Sequence, residues 1–229
     1  MRNVEQKLLS RSALALGLAA LALTGCSGGS GGSKYANAAE RQFERYHLYG
    51  RHLDDVWIEE TELPKTGSAE YAGTGGIRYA PSSQKMFAGS ADLHILARFD
   101  DNGGTLTGEM TNFQGAPTTE QELRDALRGQ LTDEELEDFY ARFTPIDGSI
   151  TLLSNFTPDE GASFFPTSIN GRLDHDGKVV QFGGQAEYTA FSGQDGKFIA
   201  LNGRTDSGMT ITVDGVTRPG KLRGYVQRQ

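Results

Sequence analysis

The stretch ADLHILARFDDNGGTLTGEMTNF, residues 91–113, decides the fold class of this chain. In its first nine residues, apolar side chains at the odd positions, from Ala91 to Phe99, alternate with polar ones such as Asp92 and His94. A period of two is typical of a β-strand that buries one face and exposes the other. The run DDNGG follows, and Asn and Gly tolerate the left-handed backbone angles that hairpins use. The stretch therefore predicts two antiparallel strands joined by a hairpin.

The same alternation recurs in tracts 68–79, 163–173, 178–190 and 209–213. Short breaks rich in Asp and Gly, which are typical of hairpin turns, occupy residues 174–177, 194–196, 206–208 and 214–215. About eight strands joined in this way predict a mainly β fold, an antiparallel up-and-down β-barrel over residues 65–229. A β-sandwich is the alternative.

Residues 117–143 interrupt the alternating pattern with a helical one. They contain two candidate capping boxes, Thr118 with Gln121 and Thr132 with Glu135. Apolar residues follow each box at helical spacing, which predicts a helical hairpin inserted between two strands. The hairpin either caps one mouth of the barrel or acts as a lid that gates a partner or ligand.

Residues 34–64 form an N-terminal helical segment, which Gly50 divides into one kinked helix or two short ones. Its aromatic residues either pack on the side of the barrel or contribute to an interface, where aromatic side chains are enriched. These residues are Tyr35, Tyr46, Tyr49 and Trp57.

The N-terminus has the pattern of an export signal. Residues 1–25 contain three basic residues and then an apolar run over 13–23, which is too short to span a bilayer. The sequence LTGC that ends at Cys26 resembles the lipobox of bacterial lipoproteins. That resemblance implies cleavage before Cys26 and acylation of its thiol, which is the lipidation site predicted for this chain.

The stretch SGGSGGS after Cys26 predicts a flexible tether, so residues 26–33 combine a predicted lipid attachment site with a flexible linker. Cys26 is the sole cysteine, which excludes an intramolecular disulfide and a multi-cysteine metal site. Ser27 stands where an aspartate would mark inner-membrane retention under the enterobacterial sorting rule. The predicted location is therefore the outer membrane, with the chain held there by lipid.

The charge of the chain argues against nucleic acid as a partner. The formal net charge is −8 at pH 7, and the lysines and arginines are scattered rather than clustered in the sequence. Nucleic-acid-binding domains carry a basic patch or stripe instead. About 195 residues after the tether make one domain of ordinary size.

No sequence pattern predicts catalysis, a cofactor or a metal. Neither a nucleophile elbow, a P-loop nor a dinucleotide fingerprint occurs. Glu59, Glu60 and Glu62 form an acidic run that is typical of a solvated linker. The four histidines are predicted to be solvated and too scattered for a metal site, and they are His47, His52, His94 and His175. We therefore expect a protein without catalytic residues, that is, not an enzyme.

Two tracts resemble the barrel domain of transferrin-binding protein B and related bacterial lipoproteins. They are GSAEYAGTGGIRYA at 67–80 and ADLHILARFDDNGGTLTGEMTNF at 91–113, while FGGQAEYTAFSG at 182–193 is a weaker match. The resemblance implies an eight-stranded barrel anchored to the outer membrane that binds host proteins, haem carriers or other solutes. This chain has one barrel, no obvious handle and an added helical hairpin, so transferrin is not carried over as its ligand.

Three functions follow as hypotheses. The first is a membrane-anchored binding module for a host or partner protein, or for a small solute such as an iron or haem source. The second is a structural cell-envelope lipoprotein without a small-molecule ligand. The third is a hydrolase whose site has no recognisable motif.

Overall fold

The computed structural model describes residues 38–55, 62–82, 85–157 and 164–229. In the first helix, side chains are described only as far as Tyr46. The expectations for the signal peptide, for lipidated Cys26 and its tether, and for Glu59 and Glu60 lie outside these residues.

The described part contains three α-helices: α1 (Ala38–Asp55), α2 (Glu120–Arg128) and α3 (Asp133–Ala141). Its twelve strands are β1 (Gly67–Ser82), β2 (Lys85–Asp100), β3 (Gly103–Thr118), β4 (Thr144–Phe156), β5 (Phe164–Phe165), β6 (Ser168–His175), β7 (Lys178–Gly184), β8 (Tyr188–Ser192), β9 (Phe198–Arg204), β10 (Met209–Val213), β11 (Val216–Thr217) and β12 (Gly220–Arg228).

All twelve strands belong to one antiparallel sheet with the order β11-β10-β7-β6-β4-β3-β2-β1-β12-β9-β8-β5. The sheet curls into a half-barrel. The predicted mainly β, antiparallel architecture with helical additions is therefore confirmed. The predicted closed barrel of eight strands is wrong, in strand number and in closure.

The departure from a simple barrel begins after β7. That strand ends at Gly184, whose φ of +85° is left-handed, and β7 then pairs with β10 instead of β8. Strands β8 and β9 extend the sheet beyond β12 at its other end. The turn at residues 205–208 consequently joins two strands that do not pair, so the hairpin predicted at 206–208 is wrong.

The other predicted turns do connect paired strands. Two of them, Asp176-Gly177 and Asp214-Gly215, place both residues at positive φ. This is the backbone shape that two-residue hairpins require, because its twist matches that of the flanking strands. The Asp-Gly pairs in the sequence thus mark these hairpins directly.

Each described α-helix lies within a segment that the sequence predicts to be helical, but residues 62–64 of the predicted segment 34–64 are not helical, and one cap is displaced. Helix α1 continues through Gly50 as a single helix. Helix α3 begins with the predicted capping box, in which Thr132 and Glu135 bond each other's backbone N–H groups. Helix α2 begins one residue later than predicted, because Thr119 is the N-cap and accepts a hydrogen bond from the backbone N–H of Glu122.

The inner face of the sheet holds the main core. Its alternating residues from all the long strands form one continuous apolar cluster, in which Leu93, Leu106, Met110, Phe113 and Ile150 are fully buried. Residues of opposite flanks meet inside the curl, since Ile211 of β10 packs beside Gly220 of β12. The inner face is therefore filled by side chains.

A second apolar cluster lies on the outer face, beneath the three helices. Phe43 of α1 packs against the rings of Phe139, Tyr140 and Phe143, with ring centroids 5.3 to 5.6 Å apart. Small residues of the sheet, Ala88 and Ala116, complete this helical cluster. The helices thus cover one patch of the outer face and leave the rest of it to solvent.

Candidate functional site

A groove opens at the edge of the helical cluster, between the helices and the outer face of the sheet. It encloses about 570 Å³ of space, part of it open to solvent. Its lining residues come from α1, α2, β1, β2 and β12, and they are Phe43, Tyr46, Gly76, Ile77, Arg78, Ala88, Gly89, Ser90, Leu123, Leu127, Lys221 and Arg223.

The groove exists because the sheet carries small residues at this place. Gly76 of β1 lies opposite Ser90 of β2, and Ala88 lies two residues away on the same face. A Cβ atom added at Gly76 would lie 3.9 Å from the ring of Tyr46, so the absence of a side chain there leaves open space beneath α1.

One wall of the groove is apolar. Phe43 and Leu123 are buried, and Leu127 at the end of α2 is half-buried. The ring contacts of Phe43 with the residues of α3 hold this wall in place. The wall therefore presents a fixed hydrocarbon surface to whatever occupies the groove.

The opposite wall is cationic. Strand pairing sets Arg78 of β1 directly opposite Lys221 of β12, and Lys221 opposite Arg204 of β9. Arg223 follows two residues along β12 and so shares their face. Burial lowers the pKa of Lys221, and the positive charges of Arg78, Arg204 and Arg223 lower it further. This cationic row consists of Arg78, Lys221, Arg204 and Arg223.

Two members of the cationic row have partners. The Arg204 guanidinium pairs with Asp206, with Nε 2.9 Å from Oδ1. Arg223 donates to Asn202 Oδ1 at 3.3 Å and hydrogen-bonds the Tyr46 hydroxyl. Within the described residues, Arg78 and Lys221 make no ion pair within 4 Å. Both cations line the groove beside the apolar wall.

A buried polar contact holds α1 above the groove. The Gln42 side chain is fully buried, accepts a hydrogen bond from the Ser90 hydroxyl at 2.7 Å and donates one to the carbonyl oxygen of Asn112 at 3.1 Å. A bulge in β3 puts Asn112 at a φ of +54°, and the pairing of β3 with both neighbours shifts there. The bulge thus provides the acceptor that orients Gln42.

The structure separates the histidines that the sequence groups together. His94 is exposed on its strand, as predicted. The His175 side chain is 10% exposed, its ring lies tilted against that of Phe87 with the centroids 5.1 Å apart, and it hydrogen-bonds Thr144 at 3.0 Å. His175 is therefore half-buried where the sequence predicts a solvated side chain. The side chains of His47 and His52 lie outside the described set.

Of the aromatic residues singled out in the N-terminal segment, Tyr46 is the one with a described side chain. Its ring meets Tyr225 of β12 edge-on at 5.2 Å, so it packs on the sheet and lines the groove at the same time. Glu62, from the acidic run, is exposed and lies outside the groove lining.

Sequence reasoning missed the cationic row and Gln42. A weak signal exists in GKLRGYVQR, residues 220–228, where Lys221 and Arg223 alternate with apolar residues and so share a face. Arg78 has the same character in β1. The sequence alone does not show that these two strands pair, because they lie near opposite ends of the chain.

Among the described residues, His, Cys, Asp and Glu side chains do not gather in any group of three that could hold a metal ion. The described helices likewise include none that is long and apolar enough to cross a membrane. In comparisons with known proteins, no family model, no curated protein and no solved structure matches this chain.

Proposed function

We propose that this chain is an envelope lipoprotein, anchored to the outer membrane through lipidated Cys26, whose folded part is a binding module rather than an enzyme. The ligand site of the module is the groove between α1, α2 and the outer face of the sheet. The single observation that carries this proposal is that one groove combines an apolar wall with Arg78 and Lys221, two cations that make no ion pair among the described residues.

The groove is a better candidate than the inner face of the sheet. The inner face is filled by its own side chains, Phe113 and Met110 among them, which leaves little space for a ligand. Ligand sites are usually concave, mostly apolar and supplied with a few placed polar groups. The groove has each of these features.

The groove lining favours binding over catalysis. None of its twelve residues is a histidine, cysteine, aspartate or glutamate, the usual general bases and metal ligands. Its serine, Ser90, already donates its hydroxyl hydrogen to Gln42. The resemblance of residues 67–80 and 91–113 to transferrin-binding protein B-like lipoproteins supports the same class, binding, without naming the ligand.

Two measurements test the proposal. Mass spectrometry of the mature N-terminus should find an acylated Cys26, and an unmodified terminus or one that begins elsewhere would refute the anchor. Native mass spectrometry of the full chain, extracted from its own membrane in mild detergent, should detect a bound small molecule.

The variant Gly76→Val provides the matched control for the second measurement. Valine suits a strand, Gly76 has no positive φ, and the added methyl groups occupy the groove. The bound species should disappear in this variant while the melting temperature stays within a few degrees. A species retained in Gly76→Val would refute the groove as the binding site, and the absence of any species from the unaltered chain would favour a structural envelope role instead.

A further inference from the structure

We propose that the groove binds a free amphipathic anion with a single alkyl chain, whose oxyanion head lies at Arg78 and Lys221 and whose chain lies along Phe43, Leu123 and Leu127. This inference rests on the proposed function, since it names the ligand class of the same groove. A long-chain carboxylate is the simplest member of that class.

The cationic row is costly for the folded chain, which indicates a role outside stability. Like charges directly opposite each other on neighbouring strands destabilise a sheet. The row nevertheless contains two such pairs in succession, Arg78 with Lys221 and Lys221 with Arg204. One acid, Asp206, pairs with Arg204, and its charge partly opposes the lowering of the pKa of Lys221. Arg78 and Lys221 themselves make no ion pair in the described part of the chain.

Charge complementarity identifies the head group as an anion. The chain as a whole is acidic, with a formal net charge of −8, yet cations gather on this one wall. A carboxylate can accept hydrogen bonds at both of its oxygen atoms, and arginine and lysine side chains both donate such charge-assisted bonds. A bound anion would also offset the positive charges that now lower the pKa of Lys221.

The apolar wall identifies the rest of the ligand as hydrocarbon. Phosphate or another small anion would use the cations and leave the half-buried side chain of Leu127 exposed to solvent. A neutral hydrocarbon would cover the apolar wall and leave two charges without counterions. A molecule that carries both groups satisfies both walls at once, and its alkyl chain can extend from the groove because part of the groove is open to solvent.

The test uses photoreactive probes on the full chain, reconstituted in phosphatidylcholine vesicles. Three probes carry the same diazirine on a hexadecyl chain: hexadecanoic acid, hexadecanol and a phosphatidylcholine. After irradiation, cross-linked peptides are mapped by mass spectrometry. We expect the acid to label peptides that contain residues 76–90, 123–127 or 221–223, and the alcohol and the phospholipid to label them about tenfold less, because a charge-assisted hydrogen bond contributes about that factor.

Two double variants separate local charge from net charge. Arg78→Gln with Lys221→Gln should lower labelling by the acid about tenfold and leave labelling by the alcohol unchanged. Arg172→Gln with Lys178→Gln removes the same charge from exposed positions on β6 and β7, and labelling should stay at the level of the unaltered chain. Equal losses in the two double variants would overturn the inference.

The outcomes distinguish a failed ligand class from a failed binding site. If acid and alcohol label the groove equally, and Gly76→Val removes both signals, the groove remains the binding site and the anionic ligand class is refuted. Equal labelling by the phospholipid also refutes it, because the groove would then contact the bilayer. If Gly76→Val leaves every signal unchanged, the proposed function fails together with this inference.

Discussion

In the C-terminal half of β2, from Leu93 to Phe99, every second residue is buried. In its N-terminal half, from Phe87 to Ala91, five consecutive residues are buried. Over residues 93–99 the strand has one face on the inner core and the other in solvent. Over residues 87–91 the helices cover the second face as well. Small residues make that cover possible, since Ala88 and Ser90 on the outer face let α1 approach the backbone.

The difference teaches where to look for a site. A strand segment that is buried on both faces marks the place where a second layer packs on the sheet. At the edge of that layer the small residues remain but the helices do not fully cover them, and the groove opens there. The inner core and the helical cluster should therefore contribute to stability in different ways, which the following variants can measure.

The largest effect is expected in the inner core. Phe113→Ala should lower the free energy of unfolding by about 3 to 5 kcal/mol, because Phe113 is fully buried and the sheet around it cannot collapse into the cavity. Urea unfolding followed by circular dichroism measures this loss. Leu153→Ala, at a side chain that is 57% exposed, should change it by less than about 0.5 kcal/mol. Comparable losses in the two variants would contradict the assignment of the inner face as the core.

The helical cluster should respond more locally. Phe43→Ala removes the ring that three aromatic residues surround and should cost about 3 kcal/mol, the lower end for a buried phenylalanine, because the groove beside it already admits solvent. Amide hydrogen exchange should accelerate in α1 and remain slow in β2 and β3. Equal acceleration in those strands would show that the two apolar clusters unfold as one unit.

The inner core was largely predictable, because alternation survives wherever one face of a strand meets solvent. The predicted hairpins at Asp176-Gly177 and Asp214-Gly215 likewise depend on local backbone chemistry alone. The closed barrel was not predictable in the same way, since pairing of β7 with β10 is a long-range choice that no local pattern encodes. His175 was misassigned for the same reason, as Phe87 and Thr144 reach it from distant parts of the chain.

The candidate site was less predictable than the fold. Its charges stand on two strands that are about 140 residues apart in sequence, and each charge alone resembles an ordinary exposed residue. Gln42 gave no signal either, because a glutamine on an amphipathic helix is usually solvated. Its role appears once the bulge at Asn112 turns a strand carbonyl towards α1.

A third variant tests how firmly the two regions are joined. Gln42→Ala should cost about 1 to 3 kcal/mol, because the buried Ser90 hydroxyl and the part-buried carbonyl oxygen of Asn112 both lose this partner. Thermal and urea unfolding measure the loss. Gln121→Ala, which removes an exposed amide bonded to Asp125 within α2, serves as the comparison and should be nearly neutral. If both variants are neutral, Gln42 does not hold α1 on the sheet.

The smallest effect is a dependence on alkaline pH, which both regions should share. Burial raises the pKa of Tyr71 in the inner core to about 12, and burial with the nearby Glu40 and Glu44 raises that of Tyr140 in the helical cluster to about 12. In the unfolded chain a tyrosine ionises near pH 10, so between about pH 10 and 12 the unfolded state binds fewer protons than the folded state. The contribution of these two tyrosines to the free energy of unfolding should therefore be constant below pH 10 and fall above it.

Each of these tyrosines should contribute a slope on the order of 1 kcal/mol per pH unit, which urea titrations at several pH values can resolve. Tyr71→Phe and Tyr140→Phe should each flatten the decline by that amount. Tyr71→Phe also removes the hydroxyl that donates to the Gly196 carbonyl at 2.7 Å, which costs about 1 kcal/mol at neutral pH. If Tyr71→Phe flattens the slope and Tyr140→Phe does not, the helical cluster has already separated from the sheet at high pH, and the inner core alone carries the cooperative transition.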